Sequence, residues 1–418
     1  MSKPKIYIKT FGCRTNLYDS QVMKSALKDY EITEDEASAD VVVINSCTVT
    51  NGADSNVRAY ISKLEKTTAP KIYLTGCGAH TKGKELLDQG RIAGVFGQSE
   101  KIKINRLLAK PDGFYEIGDL SFIDESVVGE FIGKSRAFIK IQEGCNFRCS
   151  YCIIPYVRGD ARSLDESKIL AEVQKLAANG FGEFILTGTN LGSYGVDTKS
   201  SLAKLLKKLS YIRGVRRIRL GSIEPIQVTD EFKELLDEPW LEKHLHIALQ
   251  HTSPKMLKLM NRRNVYKQDK ELFEFLAEKG FAIGTDFITG HPGETPQIWE
   301  EAMTNLKELP LTHLHAFSYS KRDGTPSAHM KEVVDGKTAK ARLHEVESII
   351  QAKNLAFRQN QKEPLVVLIE NQKGGFYQGY DQFYNPIKVE SSLDLVGNWI
   401  EIADYEARED GNYAKFQA

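Results

Sequence analysis

The sequence lacks the features that mark membrane, secreted or strongly charged proteins. No stretch approaches the ~18 consecutive apolar residues of a membrane span, and residues 1–10 contain no apolar segment of the kind found in secretory signals. Lys and Arg together number 56, as do Asp and Glu, so the formal net charge is zero and no overall field attracts nucleic acid. We therefore expect a cytoplasmic protein without membrane contacts, in which any RNA binding depends on local groups.

Cysteine is also scarce, with six among 418 residues. Disulfides rarely persist in a reducing cytoplasm, so metal binding or catalysis is the expected use of these thiols. They fall into two sets of three along the chain: Cys13, Cys47 and Cys77, then Cys145, Cys149 and Cys152.

The chain is too long for one hydrophobic core and its pattern predicts an α/β protein of three domains. Residues 1–110 alternate apolar strands with helices, which is typical of a Rossmann-like parallel sheet. A linker follows at 111–134. Residues 135–360 hold six predicted strands with helices between them, which indicates a partial, TIM-like (β/α)6 barrel. Short strands separated by Gly and Asn over 361–418 predict a small antiparallel β-barrel.

Each cysteine of the first set ends a predicted strand, in the runs IYIKTFGC, DVVVINSC and KIYLTGC. A buried free cysteine at one strand end is ordinary, because thiols behave as small hydrophobes. Three cysteines at equivalent strand ends indicate a shared site, because the carboxyl ends of parallel strands meet at one edge of the sheet, where open α/β folds build their sites. We expect these three thiols to converge.

The second set has the local spacing C-x3-C-x2-C, in the run GCNFRCSYC. Three thiolates on one tight loop can hold three irons of a cubane cluster and leave the fourth iron open. An open iron can bind the amino and carboxylate groups of S-adenosylmethionine and cleave it to a carbon radical. Tyr151 is placed to pack against the adenine. The alternative is a structural zinc loop, as in a zinc-stabilised RNA-binding protein, but closed zinc sites take four protein ligands.

Further cofactor contacts are expected at the carboxyl ends of the barrel strands. Glu224 could accept hydrogen bonds from ribose hydroxyls, and Arg263 could hold the methionine carboxylate through two bonds. A plain turn, a solvated glutamate and a phosphate-contacting arginine are the alternative interpretations. The full candidate set at these strand ends is Thr187, Gly188, Thr189, Glu224, Gln250 and Arg263.

These residues and their order resemble the methylthiotransferase family of radical S-adenosylmethionine enzymes over essentially the whole chain. The matching stretches are the six cysteines, GCNFRCSYCIIPYVRGDARS, LTGTNLGSYG, HIALQHTSPKMLKLMNRR, TDFITGHPGET and a C-terminal segment resembling a TRAM RNA-binding domain. The resemblance implies two [4Fe-4S] clusters, the one at the first cysteine set being auxiliary. It also implies one S-adenosylmethionine as methyl donor and another as source of a 5′-deoxyadenosyl radical, with an electron donor such as flavodoxin or ferredoxin and a sulfur source.

Family members modify isopentenyladenosine in tRNA, threonylcarbamoyladenosine in tRNA, or an aspartate of a ribosomal protein. The segments CTVTNGAD and RGDARS, the latter with Arg158 and Arg162, resemble the threonylcarbamoyladenosine branch. The resemblance thus implies methylthiolation of C2 of adenosine 37 in ANN-decoding tRNA, with the anticodon stem-loop as partner. The candidate substrate contacts are Arg158, Arg162, Arg217, Tyr377 and Phe383.

Two other interpretations remain open. Residues 360–418 carry five Lys and Arg against ten Asp and Glu, so the C-terminal segment is acidic for an RNA-binding module. A ribosomal-protein substrate is therefore one alternative. A non-catalytic iron-sulfur electron carrier or sensor is another, from a different class of protein, and would release no 5′-deoxyadenosine.

Overall fold

The first sheet is parallel and six-stranded in the computed structural model, which describes residues 3–67, 70–128, 131 and 135–417. The strand order is β2-β1-β3-β4-β5-β6. All six residues of β3 are buried, as expected for a strand covered on both faces. The strands are β1 Lys5–Thr10, β2 Glu31–Ile32, β3 Val41–Ser46, β4 Lys71–Gly76, β5 Gly94–Phe96 and β6 Phe114–Glu116; the helices are α1 Arg14–Ala26, α2 Asn51–Thr67, α3 Cys77–Thr81, α4 Gly83–Asp88 and α5 Ile104–Leu108.

Helix α1 begins earlier than the sequence pattern predicts. We expect a helix over residues 19–30, but it spans Arg14–Ala26 and starts directly after Cys13. Its polar first turns include Thr15, Asn16 and Asp19, all buried, so they do not show the apolar period of an ordinary surface helix. Instead, this helix packs against the first strand of the central domain.

Six parallel strands form the partial barrel, confirming the predicted architecture. They lie in two three-stranded sheets, β7-β10-β11 and β12-β13-β14, which isolated parallel bridges join between β11 and β12. The largest hydrophobic core of the molecule lies between these strands and their helices. The barrel strands are β7 Ala137–Lys140, β10 Glu183–Thr187, β11 Arg217–Leu220, β12 His244–His246, β13 Ala282–Thr289 and β14 His313–Ser318. Strands β8 Gln142–Glu143 and β9 Arg162–Ser163 form a separate antiparallel pair. The helices are α6 Ile154–Arg158, α7 Glu166–Ala178, α8 Leu202–Ser210, α9 Asp230–Lys233, α10 Pro254–Leu259, α11 Tyr266–Glu278, α12 Pro296–Glu308 and α13 Gly336–Asn360.

The C-terminal segment forms a curled six-stranded sheet in the order β18-β15-β16-β17-β20-β19. Its strands pair antiparallel, as predicted, except that β17 and β20 run parallel. Arg217 and Arg219 of β11 attach this sheet to the barrel, donating to the carbonyl oxygens of Val366 at 2.8 Å and Asp381 at 2.6 Å. The strands are β15 Leu365–Lys373, β16 Phe376–Tyr380, β17 Pro386–Glu390, β18 Trp399–Ile402, β19 Glu406–Arg408 and β20 Gly411–Lys415.

The predicted linker is partly structured. Strand β6 joins the first sheet although it lies within residues 111–134, and residues 129, 130 and 132–134 of that range fall outside the described residues. The division into domains at residues 110, 134 and 360 stays a prediction. Among the described residues, no helix has both the length and the apolar character needed to cross a membrane.

Candidate active site

The first three cysteines lie at one edge of the N-terminal sheet. Strands β1, β3 and β4 are neighbours; Cys47 and Cys77 directly follow β3 and β4, and Cys13 comes three residues after β1. Close approach of these loops depends on Gly12, at φ +99°, where a Cβ atom would lie 2.6 Å from the Cβ of Cys47. The parallel topology therefore brings together cysteines that are 30 or more residues apart in the sequence.

These thiols differ in their access to solvent. Cys13 is exposed, Cys47 is partly buried and Cys77 is buried. Burial raises the pKa of Cys77 to about 11 and also raises the pKa of Cys47, while the cation of Arg158 opposes both shifts. Metal binding displaces thiol protons, so a cluster would hold the three sulfurs as thiolates. The donor set and its convergence fit an iron-sulfur cluster with one iron free of protein ligands.

The second set lies on a loop between β8 and α6. The Cys145 N–H donates to the Gly159 carbonyl at 3.0 Å and the Cys152 N–H to the Cys149 carbonyl at 3.0 Å, which ties both ends of the loop. Arg148, between the cysteines, has φ +54°, a left-handed conformation that is uncommon for a residue with a side chain. The loop thereby turns sharply enough to place three thiols on one side.

Polar side chains from the loop after β10 and from the turn after α10 reach the sulfurs of the second cysteine set. The Asn190 side-chain amide donates to the Sγ of Cys145 at 3.4 Å, and an Arg262 Nη1–H to the Sγ of Cys149 at 3.5 Å. Donors at this distance stabilise thiolates and tune a bound cluster. The arrangement of three thiols with two N–H donors fits the second cluster.

A cavity of about 300 Å³ opens above the second cysteine set. Its walls come from both domains, because Val49 and Thr50, just after Cys47, face the barrel residues across it. Val49 and Phe317 are each 46% exposed and lie at this cavity, so part of its apolar wall remains open to solvent. Among the predicted cofactor residues, the lining includes Tyr151, Thr189, Glu224 and Gln250.

The remaining predicted strand-end residues lie next to the cavity. Thr187 is buried, with its hydroxyl 3.4 Å from that of Thr15 in α1. Gly188 passes so close to Gln142 that a Cβ atom would lie 2.9 Å from its Oε1. Gln142 in turn accepts from the Asn190 N–H at 2.8 Å. These residues shape the strand end, and only Thr189 and Asn190 reach the cavity wall.

Arg262, rather than Arg263, faces the cavity. Its guanidinium pairs with both carboxylate oxygens of Glu224, at 3.0 Å for Nη1 to Oε1, and donates to the Ala248 carbonyl at 2.5 Å. Arg263 is exposed, lies over the Phe147 ring at 4.4 Å and bonds the Asn146 carbonyl. Sequence reasoning missed Arg262 because both arginines lie in one irregular turn, where side-chain direction has no period.

One side of the cavity is polar. The Gln250 side chain, whose backbone has φ +69°, donates to Asp286 at 3.3 Å, and the Ser222 hydroxyl lies 3.4 Å from the same carboxylate oxygen. His246 bonds the other oxygen at 3.1 Å, and His315 lies 3.7 Å from it. These two histidines hold the pKa of Asp286 well below its usual value despite burial. The carboxylate is therefore ionised and faces the cavity.

The candidate substrate contacts lie in places where a substrate cannot readily reach them. Arg158 and Arg217 are 2% and 5% exposed and hold buried carboxylates, while Arg162 donates to the carbonyls of Phe122, Arg158 and Asp160. Tyr377 and Phe383 belong to the core of the C-terminal sheet. Four of these side chains are buried and Arg162 is half-buried, so little of their surface is open to RNA, and their role as substrate contacts stays a prediction.

A partial (β/α)6 barrel with a C-x3-C-x2-C loop at the carboxyl ends of its strands defines the radical S-adenosylmethionine class. The Radical SAM superfamily model matches residues 139–306, and the Uncharacterized protein family UPF0004 model matches residues 5–97. The radical S-adenosylmethionine methyltransferase TsrM from Kitasatospora setae, solved with cobalamin and a [4Fe-4S] cluster, shares the fold. Its TM-score is 0.60 at 17% identity, over 78% of this chain and 77% of that one.

Similar sequences identify the family within this class. A Helicobacter pylori protein named "Putative methylthiotransferase" is 54% identical over 99% of this chain and all of that one. The Bacillus subtilis threonylcarbamoyladenosine tRNA methylthiotransferase MtaB is 34% identical over 97% of this chain and 95% of its own length. The tRNA-2-methylthio-N(6)-dimethylallyladenosine synthase of Paracoccus denitrificans is 29% identical over 95% and 94%. The chain belongs to the radical S-adenosylmethionine methylthiotransferase family, and its cofactors are S-adenosylmethionine and two [4Fe-4S] clusters.

Proposed function

We propose that this protein methylthiolates C2 of N6-threonylcarbamoyladenosine at position 37 of ANN-decoding tRNAs. The observation that carries the proposal is the shared cavity, which is lined both by residues following Cys47 and by the Cys145–Cys152 loop. Sulfur transfer to a carbon requires the sulfur source and the radical source to reach one substrate atom. The second cysteine set lines the cavity, and Val49 at its wall lies two residues after Cys47 of the first set, an arrangement that fits this requirement.

The residues at the second set bind and orient the cofactor. When bound, S-adenosylmethionine and the clusters supply the methyl group, the radical and the sulfur. Arg262 fixes the Glu224 carboxylate, leaving lone pairs for ribose hydroxyls. Tyr151 and Ile288 line the cavity and pack on the buried Met256 and Met260, which offers an apolar surface for adenine.

The substrate base can enter between the two domains. Anticodon-loop bases are single-stranded and can be turned out of the stack without opening a duplex. The partly exposed side chains of Val49 and Phe317 border the cavity, and an aromatic ring there suits stacking against a purine. We expect the target adenine to pass these two residues.

The polar wall favours threonylcarbamoyladenosine over isopentenyladenosine. A threonylcarbamoyl group carries urea N–H groups and a hydroxyl that can donate to Asp286, and polar atoms that Gln250, Ser222 and the neighbouring histidines can meet. An isopentenyl group has no hydrogen-bonding atom to offer these polar side chains, which already pair with one another around Asp286. Relatives named for the threonylcarbamoyl modification are 32–34% identical to this chain, which supports the same choice.

The RNA backbone has a candidate site beside the first cysteine set. A second cavity of about 470 Å³ is lined by four cationic and two acidic side chains and by Tyr156, which is 51% exposed. The cations include Arg58 and Lys321. Ile153 lines both cavities, so this basic groove leads towards the first one. Because each phosphate contact adds salt-dependent affinity, Arg58→Glu and Lys321→Glu should weaken binding of the anticodon stem-loop and reduce its salt dependence.

The direct test is methylthiolation of defined anticodon stem-loops by the reconstituted enzyme with a chemical or flavodoxin reductant, a sulfide source and S-adenosylmethionine. We expect a 2-methylthio product on the threonylcarbamoyladenosine RNA and none on its isopentenyladenosine counterpart, measured by mass spectrometry of nucleosides. Cys149→Ala should release no 5′-deoxyadenosine. Product on the isopentenyl RNA alone would contradict the proposed substrate, and 5′-deoxyadenosine release without product on either RNA would point to a ribosomal-protein substrate.

A further inference from the structure

One short helix connects the two cysteine sets. Helix α6 begins at Ile154, two residues after Cys152, and ends at Arg158. Cys77 packs in a buried cluster with Ile153 and Val157 at this helix. The peptide segment that holds the second set is thus in direct contact with the first.

The side chain of Arg158 points at the sulfur of Cys77. Its Nε–H donates to the Cys77 Sγ at 3.2 Å. Nη1 donates to Asp19 at 2.9 Å and to Glu143, and Nη2 donates to Asn16. A guanidinium has five N–H donors in a fixed planar fork, so three carbonyl or carboxylate anchors determine where the Nε–H points.

Arg158 belongs to a buried cluster of ion-paired cations and carboxylates. Lys101 and Lys140 bridge Asp19 and Asp124, with Nζ–O distances of 2.5–3.0 Å, and Glu143 completes the set. Three fully buried cations face three carboxylates, and the less buried Arg162 adds a contact to Glu143 at 3.4 Å. The side chains of these three cations and three carboxylates are at most 2% exposed. Any charge on the Cys77 sulfur is therefore met by Arg158 without competition from solvent.

We propose that Arg158 is a positioning residue for the auxiliary cluster, fixing the Cys77 sulfur and stabilising the reduced cluster through its N–H to sulfur bond. This inference rests on the proposed role of Cys77 as a cluster ligand. Hydrogen bonds to cluster sulfurs set reduction potentials, because the reduced cluster carries more negative charge and gains more from a donor. Arg158 consequently acts on the sulfur-donating centre and does not contact tRNA.

The test is a redox titration of the auxiliary cluster alone. The full chain carrying Cys145→Ala, Cys149→Ala and Cys152→Ala provides the background, so that electron paramagnetic resonance reports only the first cluster. Arg158→Gln is combined with Asp19→Asn, which removes one charge of each sign and leaves the net charge of the buried cluster unchanged. We expect the midpoint potential to shift to a more negative value.

The matched control is Lys101→Met with Asp124→Asn. It also removes one buried charge of each sign, but neither residue contacts Cys77 through any hydrogen bond among the described residues. We expect its midpoint potential to stay near that of the background chain even though its thermal stability falls. Equal potentials in both double variants would overturn the proposal, because Arg158 would then have only a structural role.

Arg158→Lys keeps the proposal testable if the first variant fails to fold. Lysine retains the charge but lacks the planar fork, so the shift should have the same sign and a smaller size. An unchanged potential in Arg158→Lys would also contradict the proposal. Cys77→Ala tests separately the assumption that Cys77 is a cluster ligand. A signal of the auxiliary cluster that survives this change would show that Cys77 is not a ligand, whatever Arg158 does.

Discussion

The pairing of Glu224 with Arg262 gives the sharpest prediction about the cavity. The Arg262 side chain is 1% exposed and that of Glu224 is 16% exposed, and the two form a two-point contact. Burial raises the pKa of Glu224, while Arg262 opposes that shift. Replacing Arg262 with Met leaves this carboxylate in an apolar setting with its cationic partner removed.

Removal of one partner of a buried ion pair typically costs about 3–5 kcal/mol, because the remaining charge is uncompensated. We expect Arg262→Met to lower the free energy of unfolding by about this amount at neutral pH, with the lower end of the range reached if Glu224 takes up a proton. Arg262→Met combined with Glu224→Gln removes both charges. This double variant should lose less stability than Arg262→Met alone.

The assay is urea unfolding followed by far-UV circular dichroism, with equilibrium dialysis of S-adenosylmethionine on the reconstituted proteins. Arg262→Met, Glu224→Gln and the double variant should each bind S-adenosylmethionine more weakly, because residue 224 then lacks either its charge or its orientation. Exposed Arg263→Met is the matched control from the same turn and should change stability little. Additive losses in the double variant would refute the reasoning, because two independent sites show no coupling energy.

Three other outcomes follow from the structure. Gly12→Ala places a methyl group against Cys47 at a positive φ, so the purified protein should lose the auxiliary cluster and keep the second. The iron content should fall from about eight atoms per chain to about four in Gly12→Ala, in Cys77→Ala and in Cys149→Ala, because each cubane cluster holds four irons. An unchanged iron content in any of these variants would contradict the corresponding assignment. Burial raises the pKa of Glu172 to about 8, so the folded protein favours the neutral carboxyl group. The free energy of unfolding should therefore decline as the pH rises from ~4.3, the pKa in the unfolded chain, to about 8. Glu172→Gln should flatten this decline in unfolding experiments between pH 5 and 8, and an equally steep decline in that variant would rule out Glu172 as its source.

The cysteine positions could be predicted because they depend on local patterns. Cys47 and Cys77 each end an apolar run, and a parallel sheet places such ends together whatever the intervening helices do. The loop that holds Cys145, Cys149 and Cys152 could be predicted from its C-x3-C-x2-C spacing alone. These features need no knowledge of tertiary contacts, so the sequence is sufficient to predict them.

The arginines were harder to place. Strand alternation puts Arg217 and Arg219 on one face of β11, but it does not reveal that Glu183 and the C-terminal sheet cover that face. Arg158 resembles an RNA-contacting residue in sequence and becomes a buried ion-pair partner only when α1 brings Asp19 to it. Contacts between domains decided these positions, and a single sequence does not encode them in any local period.

Nucleoside analysis of tRNA tests the central claim most directly. tRNA from a strain in which the gene is deleted, complemented with the wild-type chain or with Cys77→Ala, is digested and measured by mass spectrometry. We predict that 2-methylthio-N6-threonylcarbamoyladenosine disappears on deletion, returns with the wild-type chain and stays absent with Cys77→Ala, while its precursor accumulates. An unchanged level of this nucleoside in the deletion strain would contradict the proposed function.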